Sequence, residues 1–376
     1  MINGLQFSIP QRMLHIRITI VVSLLISFFL SLSLWAGERS FPYAGIFNEQ
    51  LLSAPFDYLF VVLAVVLLLG SILFKRHRLL LVLFLFLSTL WILFDINRCQ
   101  PWFYTYCFLL LVFVFYDGRV DDSNKFTSYF ILLQLIFSSV YFFCGLSQLN
   151  AFFVENEFRQ IIAPLHVFVS DRQFSFFIRL GVVVPYLLMF IGIGLMIAPI
   201  RYLAITLGVL LHISLLVFLF PSKLQLNYAE WFANFSYIII LFLLFSGKTK
   251  QQYFSPTFLV QLPLFYLVLL VCIILPFFNK RGYWPDFLSS NFRSGGNKQV
   301  ELKLGPDALK KIKTEQFYFV VKRNSAYYLD ITAWSLASLN APYFPDQRTF
   351  NSIYKCVLEE NALGVKEIEL QRPLHK

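Results

Sequence analysis

The sequence predicts an α-helical polytopic membrane protein of about nine transmembrane helices, closed by a small α/β extracytoplasmic domain. Three observations carry this. Hydrophobic residues make up 58% of the 376-residue chain and charged residues only 14%, where soluble domains carry about 25% charged. Mean hydropathy is +0.68. Apolar runs long enough to cross roughly 30 Å of hydrocarbon recur from the start of the chain to about residue 280, after which charged and polar residues return.

The apolar runs cover approximately 14–36, 56–74, 79–97, 101–116, 127–146, 178–198, 202–220, 230–247 and 256–278. The first reads as a retained helix rather than a cleaved signal peptide. It is long, and "SLSLWAGE" offers no small-x-small cleavage site. The chain therefore divides into a transmembrane domain, 1–280, and a C-terminal domain, 281–376. Its 45 Phe fit lipid-facing helices and aromatic belts.

Orientation follows from Lys and Arg in short loops. The densest cluster, Lys75-Arg76-His77-Arg78, separates the second and third runs. Placing it in the cytoplasm also places Arg12, Arg17, Arg119, Lys125, Arg201, Lys248 and Lys250 there. The outer face then holds Arg39, Arg98, Arg159, Arg172, Arg179, Lys223, Lys280 and Arg281. On this reading the protein sits in the cell (inner) membrane, with a cytoplasmic N-terminus and the C-terminal domain outside. The net charge of +10 is spent on these loops and the tail. It forms no basic stripe interleaved with exposed aromatics, which argues against nucleic acid as a partner.

Outside, residues 147–177 hold Phe152, Phe153, Phe158, Ile161, Ile162, Val167 and Phe168 at irregular spacing. That pattern fits short helices along the interface. In the tail, "QVELKL" (299–304), "QFYFVV" (316–321) and "VKEIEL" (365–370) read as strands. A helix starting at Asp330 as N-cap runs to Leu339, and another starts at Pro345-Asp346 and runs to about Glu360. A domain this small has a modest core, so it should dock onto the helices.

Five cysteines, Cys99, Cys107, Cys144, Cys272 and Cys356, show no C-x-x-C or Cys/His metal spacing. They read as buried thiols, and no metal site is expected. Asn234-Phe-Ser236 matches a glycosylation sequon but lies inside an apolar run, out of a transferase's reach.

Polar groups are costly in hydrocarbon, so those inside the runs are candidate functional residues. "DINRCQPW" (95–102) puts Asp95 and Arg98 three apart, close enough to pair on one helix face. They form either a helix-corner ion pair or a site where Arg98 presents its guanidinium to an anion at a cavity mouth, with Trp102 as anchor. "YFFCGLSQLN" (141–150) ends a helix with Tyr141, Gly145, Ser147, Gln148 and Asn150. Gly145 permits close helix approach, and Asn150 fits a cap. His212 sits mid-run, either as a neutral partner to a neighbouring helix or as a proton relay or ligand contact. "PSKLQLNYAEW" (221–231) brings Asn227 and Glu230, either as a solvated loop or as part of the same site. Helix ends alternate across a bilayer, so the first, second and fourth groups should converge in one outward-facing vestibule.

"DINRCQPWFY", then "YFFCGLSQLN-x-F", then a helix carrying His212 followed by an Asn-containing loop resemble the transmembrane domain of the vitamin K-dependent gamma-carboxylase family. Its bacterial relatives are the horizontally transferred transmembrane domain proteins. The likeness covers roughly residues 10–280. "GYWPDFLSSNFRSGGN" (282–297) and "TAWSLASLNAPYFPDQRTF" (332–350) are similar to the outer domain of bacterial members.

The resemblance implies a quinone as cofactor. A reduced quinone is oxygenated, and the strong base so formed removes a glutamate proton; the carbanion then captures carbon dioxide. The family's buried Lys matches Gln148 here, preceded by Ser147, and its His in the "DINRCQPW" segment matches Arg98. A buried lysine can be neutral and act as a base. An amide cannot accept that proton, and Arg stays protonated.

The expectation is therefore a scaffold kept without its proton chemistry, binding an exported peptide or protein, or a lipid or quinone, at the vestibule. The alternative is an enzyme of altered chemistry using His212, Tyr141 or Glu230. A transporter would show paired broken half-helices or equivalent halves, and neither pattern occurs.

Overall fold

The computed structural model describes residues 8–46, 55–74, 77–116, 123–220, 227–247, 259–291, 300–323, 325–364 and 368–371. Lys75, Arg76, Arg119, Lys223, Lys248 and Lys250, and residues 221–226, 292–299 and 365–367, lie outside that set.

The first helix, α1 (Ile9–Leu30), starts where its sequence provides a capping box. Ser8 Oγ accepts from Gln11 N, the Gln11 amide accepts from Ser8 N, and Pro10 occupies the first turn. Met13, Ile16, Ile20 and Leu24 are fully buried at three- and four-residue spacing, the signature of one helix face turned to a core. A short turn, α2 (Leu32–Trp35), follows. Next come α3 (Phe56–Leu73), α4 (His77–Phe94), α5 (Pro101–Phe115) and α6 (Ser123–Ser147). The centre of the bundle is aromatic: Phe28 packs on Trp35, Phe84, Trp91 and Phe103 at centroid distances of 4.8–6.5 Å.

After α6 the chain runs through short helical pieces. A wide turn over Phe153–Phe158 leads to α7 (Arg159–Ile161) and a tight turn over Ala163–Val167. Phe153, Ile161 and Ile162 are buried, while Val167 and Phe168 are each 83% exposed. A second capping box, Ser170 with Gln173, starts α8 (Asp171–Leu180). This helix begins earlier than the apolar run at 178 because its first turns carry Asp171 and Arg172. After Gly181 it continues as α9 (Val183–Met196). The remaining membrane helices are α10 (Arg201–Phe218), α11 (Tyr228–Phe245) and α12 (Pro263–Val268), which winds on in wider and tighter turns to Arg281.

Among the described residues, eight helices are long and apolar enough to cross a membrane. The ninth apolar helix, α5, has 15 residues. At 1.5 Å per residue it is about 22 Å long, shorter than the other eight, yet it returns along the length of α4: Arg78 Nε, at the start of α4, donates to Val114 O, at the end of α5, at 2.7 Å. The fold is thus helical and polytopic, with a small antiparallel sheet near the C-terminus.

That sheet comprises β1 (Glu301–Leu304), β2 (Val320–Arg323), β3 (Ala326–Leu329) and β4 (Ile368–Gln371), in order β2-β3-β1-β4, all antiparallel. Between β1 and β2 lie α13 (Pro306–Lys311) and α14 (Thr314–Phe317). The strand expected at 316–321 therefore starts later. Gln316 is held in the helical turn because its amide bridges Glu360 (3.0 Å) and Asn361 (2.8 Å). The two helices expected in the tail are present as α15 (Ile331–Leu339), with Asp330 accepting from Ala333 N, and α16 (Gln347–Glu360), with Asp346 as N-cap.

The tail packs against the start of the chain and the α4–α5 turn. Trp334 Nε1 donates to Ser40 Oγ at 3.0 Å, and Phe41 N to Ser338 Oγ at 3.0 Å. The Trp334 ring meets Phe41 edge-on at 5.0 Å. Gln100 Nε2 donates to Pro342 O, and Phe344 N to Asn97 Oδ1. Asn340 ties this segment to both Leu30 O and Tyr228 N.

Candidate functional site: a buried Tyr–His–Asn chain and a sealed arginine turn

The α4–α5 connection forms a tight turn over Ile96–Arg98, with Asp95 as its N-cap. Asp95 Oδ1 accepts from Asn97 N (3.3 Å), Asn97 Nδ2 (3.0 Å) and Ala44 N (3.1 Å). Its Oδ2 lies 2.6 Å from Arg39 Nη2, with both side chains at most 1% exposed. The Asp95–Arg98 pair expected from their spacing is not formed. Asp95 has an extended backbone (φ −155°, ψ 107°), so it stands off the helix face that the spacing presumed.

Arg98 is 1% exposed. Its Nε donates to Leu34 O (3.1 Å) and its Nη2 to Trp35 O (3.0 Å). It thereby satisfies carbonyls at the end of α2 that would otherwise be orphaned. Asp57, also buried, accepts from Gly37 N (2.7 Å) and Tyr58 N (2.8 Å). Arg39 stacks on the Tyr43 ring at 3.6 Å. Two arginines and two aspartates thus sit together with formal charge balanced, beneath tail residues 340–344. Burial pulls the Arg98 pKa down to about 10, against the opposing pull of Asp95, so the side chain keeps its charge at neutral pH. Burial pushes the Cys99 thiol up to about 12, which leaves it protonated and inert. Two of its nitrogens are thus taken up by the fold, and among the described residues its third, Nη1, is buried without a hydrogen-bond partner; the side chain does not line an open mouth.

Trp102 opens α5, 3% exposed, with its ring 6.2 Å from Trp35 and 6.4 Å from Tyr106. Through Tyr106 and Tyr237, 5.7 Å apart, it leads toward a second polar group.

That group joins three helices. Tyr141 Oη on α6 lies 2.6 Å from His212 Nε2 on α10, and His212 Nδ1 lies 2.9 Å from Asn234 Oδ1 on α11. Asn234 Nδ2 donates to Glu230 O at 2.9 Å, which leaves Asn234 Oδ1 as the acceptor. This assigns the proton to His212 Nδ1 and makes Nε2 the acceptor of the Tyr141 hydroxyl. The three side chains are 4–6% exposed. The Tyr237 ring meets the imidazole edge-on at 5.6 Å, and below it Tyr106 Oη contacts Ser236 Oγ. A neutral imidazole, oriented on one side and holding a phenol proton on the other, is the arrangement by which a base readies a hydroxyl.

Gln148 lies two turns beyond Tyr141, 6% exposed. Its Nε2 reaches Cys144 Sγ at 3.4 Å, and among the described residues its buried Oε1 meets no donor. Glu230 Oε2 accepts from Asn227 Nδ2 at 2.6 Å, and Asn227 caps α11. Glu230 stands one turn before Asn234 on α11, where its backbone carbonyl accepts from Asn234 Nδ2. Asn150 bridges Ser147 O and Phe153 N, which turns the chain out of α6. The close approach expected at Gly145 is present, since an added Cβ would collide with Pro185 O on α9.

The sequence-predicted residues therefore fall into two groups. Tyr141, Gln148, His212 and Glu230 share one neighbourhood, Asp95 and Arg98 occupy another, and Trp102 stands between. Asn234, read from sequence only as an unusable sequon, belongs to the first group. Its signal was its place one turn after Glu230, as an amide inside a span. Among the described residues no cluster of His, Cys, Asp or Glu has the makings of a metal site. In comparisons with known proteins, no family model, curated protein or solved structure matches the chain.

Proposed function

We propose that the chain is a multi-pass protein of the cell membrane, gamma-carboxylase-like in scaffold, that binds a weakly polar ligand against Gln148 and the Tyr141–His212 pair. The ligand class is a lipid or quinone headgroup or a side chain of an exported peptide. The N-terminus is cytoplasmic and the C-terminal domain outside. The observation that carries this reading is the Gln148 amide, whose oxygen is buried without a donor among the described residues. An unpaired buried acceptor costs about 1–3 kcal/mol, and a ligand hydroxyl or N–H would satisfy it. The family's own reaction is not proposed. Gln148 stands at the position of its base, and Arg98, at the position of its His, is committed to Leu34 O and Trp35 O.

Purified wild-type protein and Gln148→Leu, matched for folding, should differ in the lipid, quinone or peptide they retain. Equal retention, or none by either, would overturn the proposal.

A second reading has its own observation, the fixed tautomer of His212. Here the chain is an enzyme of altered chemistry in which His212 Nε2 takes the Tyr141 proton and the phenol acts on substrate, with Glu230 nearby. Tyr141→Phe separates the two readings. It should abolish function if the hydroxyl is chemical and spare ligand retention if Gln148 is the main contact.

A further inference from the structure

One side chain of the tail closes the ends of two membrane helices. Asn340 follows α15 as its C-cap, in the left-handed region (φ 53°, ψ 31°), which Asn tolerates better than most residues with a side chain. Its Nδ2 donates to Leu30 O at 2.5 Å, and its Oδ1 accepts from Tyr228 N at 3.2 Å. Leu30 is the last residue of α1 and Tyr228 the first of α11. A helix leaves its last carbonyls and its first N–H groups without internal partners, and this single amide serves one of each. Its orientation is fixed, because the carbonyl only accepts and the N–H only donates. Glycine would suit the backbone but would leave both helix ends open.

From Tyr228 a series of hydrogen bonds leads to the buried imidazole. Asn227, the preceding residue, caps α11: its Oδ1 accepts from Glu230 N at 3.1 Å, and its Nδ2 donates to Glu230 Oε2 at 2.6 Å. Glu230 O accepts from Asn234 Nδ2 at 2.9 Å. Asn234 Oδ1 accepts from His212 Nδ1 at 2.9 Å, and His212 Nε2 receives the Tyr141 hydroxyl at 2.6 Å. The same stretch of tail also holds the α4–α5 turn, since Phe344 N donates to Asn97 Oδ1 and Pro342 O accepts from Gln100 Nε2. Docking of the tail and the geometry at His212 are thus joined through named contacts.

We propose that Asn340 is a positioning residue for the Tyr141–His212 pair, through which the C-terminal domain regulates that group. With the tail docked, the first turn of α11 is held against the end of α1, and Asn234 presents its oxygen to His212 Nδ1. With the tail lifted, Tyr228 N loses its acceptor, the first turn of α11 frays, and the imidazole exchanges between its two tautomers. The consequence for ligand rests on the binding role proposed above for Gln148 and Tyr141–His212; the positioning of His212 does not.

The test is NMR of the histidine ring nitrogens in the full chain in detergent, with His212→Leu used to assign the His212 signals. The wild type should show a protonated Nδ1 and a bare Nε2. Asn340→Gly keeps the left-handed backbone and removes both bonds, while Trp231 Nε1, donating to Leu216 O at 2.9 Å, keeps α11 on α10. It should show the second tautomer at about a tenth of the signal or more. It should also retain about fivefold less co-purified small molecule than the wild type, the worth of about one hydrogen bond. Asn340→Asp keeps an acceptor for Tyr228 N and should restore the wild-type ring nitrogens. Tyr228→Pro removes the N–H itself at a position where helices accept proline. It should reproduce Asn340→Gly, and it decides the matter should that variant not fold. Unaltered His212 nitrogens in folded Asn340→Gly or Tyr228→Pro, or mixed tautomers in Asn340→Asp, would overturn the proposal. Gln148→Leu separates the two claims. Depletion there beside an unchanged Asn340→Gly removes Asn340 and leaves the ligand reading standing. Undepleted extracts from Gln148→Leu overturn the ligand reading, and the ring nitrogens alone then decide the role of Asn340.

Discussion

Tyr141 and His212 meet at 2.6 Å between two helices, and the contact has a fixed sense: the phenol donates and the imidazole accepts, because Asn234 holds the other ring nitrogen. A double-mutant cycle of Tyr141→Phe and His212→Leu, read by thermal denaturation, should give a coupling of about 0.5–1.5 kcal/mol, the range for hydrogen bonds between membrane helices. Asn234→Leu should reduce that coupling, because the tautomer is no longer held. Coupling near zero in the parent would contradict the assigned chain.

The buried ion pair at the α4–α5 turn is Arg39–Asp95. Asp95→Ala leaves Arg39 buried without its counter-charge, at a cost of about 3–5 kcal/mol. It should also loosen the tail, since Asp95 orders Asn97, which in turn receives Phe344 N. Protease cleavage within 331–346 should therefore accelerate in Asp95→Ala. Arg39→Ala combined with Asp95→Ala should recover part of the loss, whereas adding Arg98→Ala to Asp95→Ala should add a further loss. The reverse ranking would mean that Asp95 pairs with Arg98 after all.

Helices α6 and α9 cross where Gly145 faces Pro185 O. Gly145→Ala should destabilise by about 1–3 kcal/mol, the usual cost of overpacking a tight contact, and Gly145→Leu more. A melting midpoint unchanged in Gly145→Ala would show that the helices do not approach so closely.

The Cys99 thiol is pushed up to about 12 by burial, while an unfolded cysteine titrates near 9. The folded state thus holds a proton that the unfolded state releases. The stability it contributes is full below pH 9 and falls as the pH rises toward 12. Arg98, pulled down to about 10, works in the opposite sense above that pH, so the clean window is pH 9–10. Over that window Cys99→Ser should lose stability less steeply than the wild type, and folded wild-type Cys99 should resist maleimide. Rapid labelling without unfolding would contradict its burial.

Local chemistry was legible in the sequence. Asp330 marked a helix start because capping is a matter of a few adjacent residues, the Pro345-Asp346 pair marked the start of the next helix although Asp346 makes no side-chain cap bond, and Gly145 marked a close crossing. Long-range partners were not legible. Arg39 lies far from Asp95 in the chain, and only folding of the first loop brings them together. The spacing of Asp95 and Arg98 therefore pointed to a pair that the extended backbone at Asp95 prevents. Gln316 looked like the start of a strand by composition, yet Glu360 and Asn361 hold it in a helical turn. Asn234 was visible as a polar residue in a span, but its value as the partner of His212 depends on the packing of α10 against α11.

The central claim is that Gln148 and the Tyr141–His212–Asn234 chain form a ligand-binding group and not only an internal clamp. The most direct measurement is mass spectrometry of small molecules extracted from purified wild-type protein and from Gln148→Leu, with both shown to melt alike. The account predicts a lipid, quinone or peptide species present in stoichiometric amount in the wild type and depleted several-fold in Gln148→Leu. Identical extracts from the two proteins would contradict it.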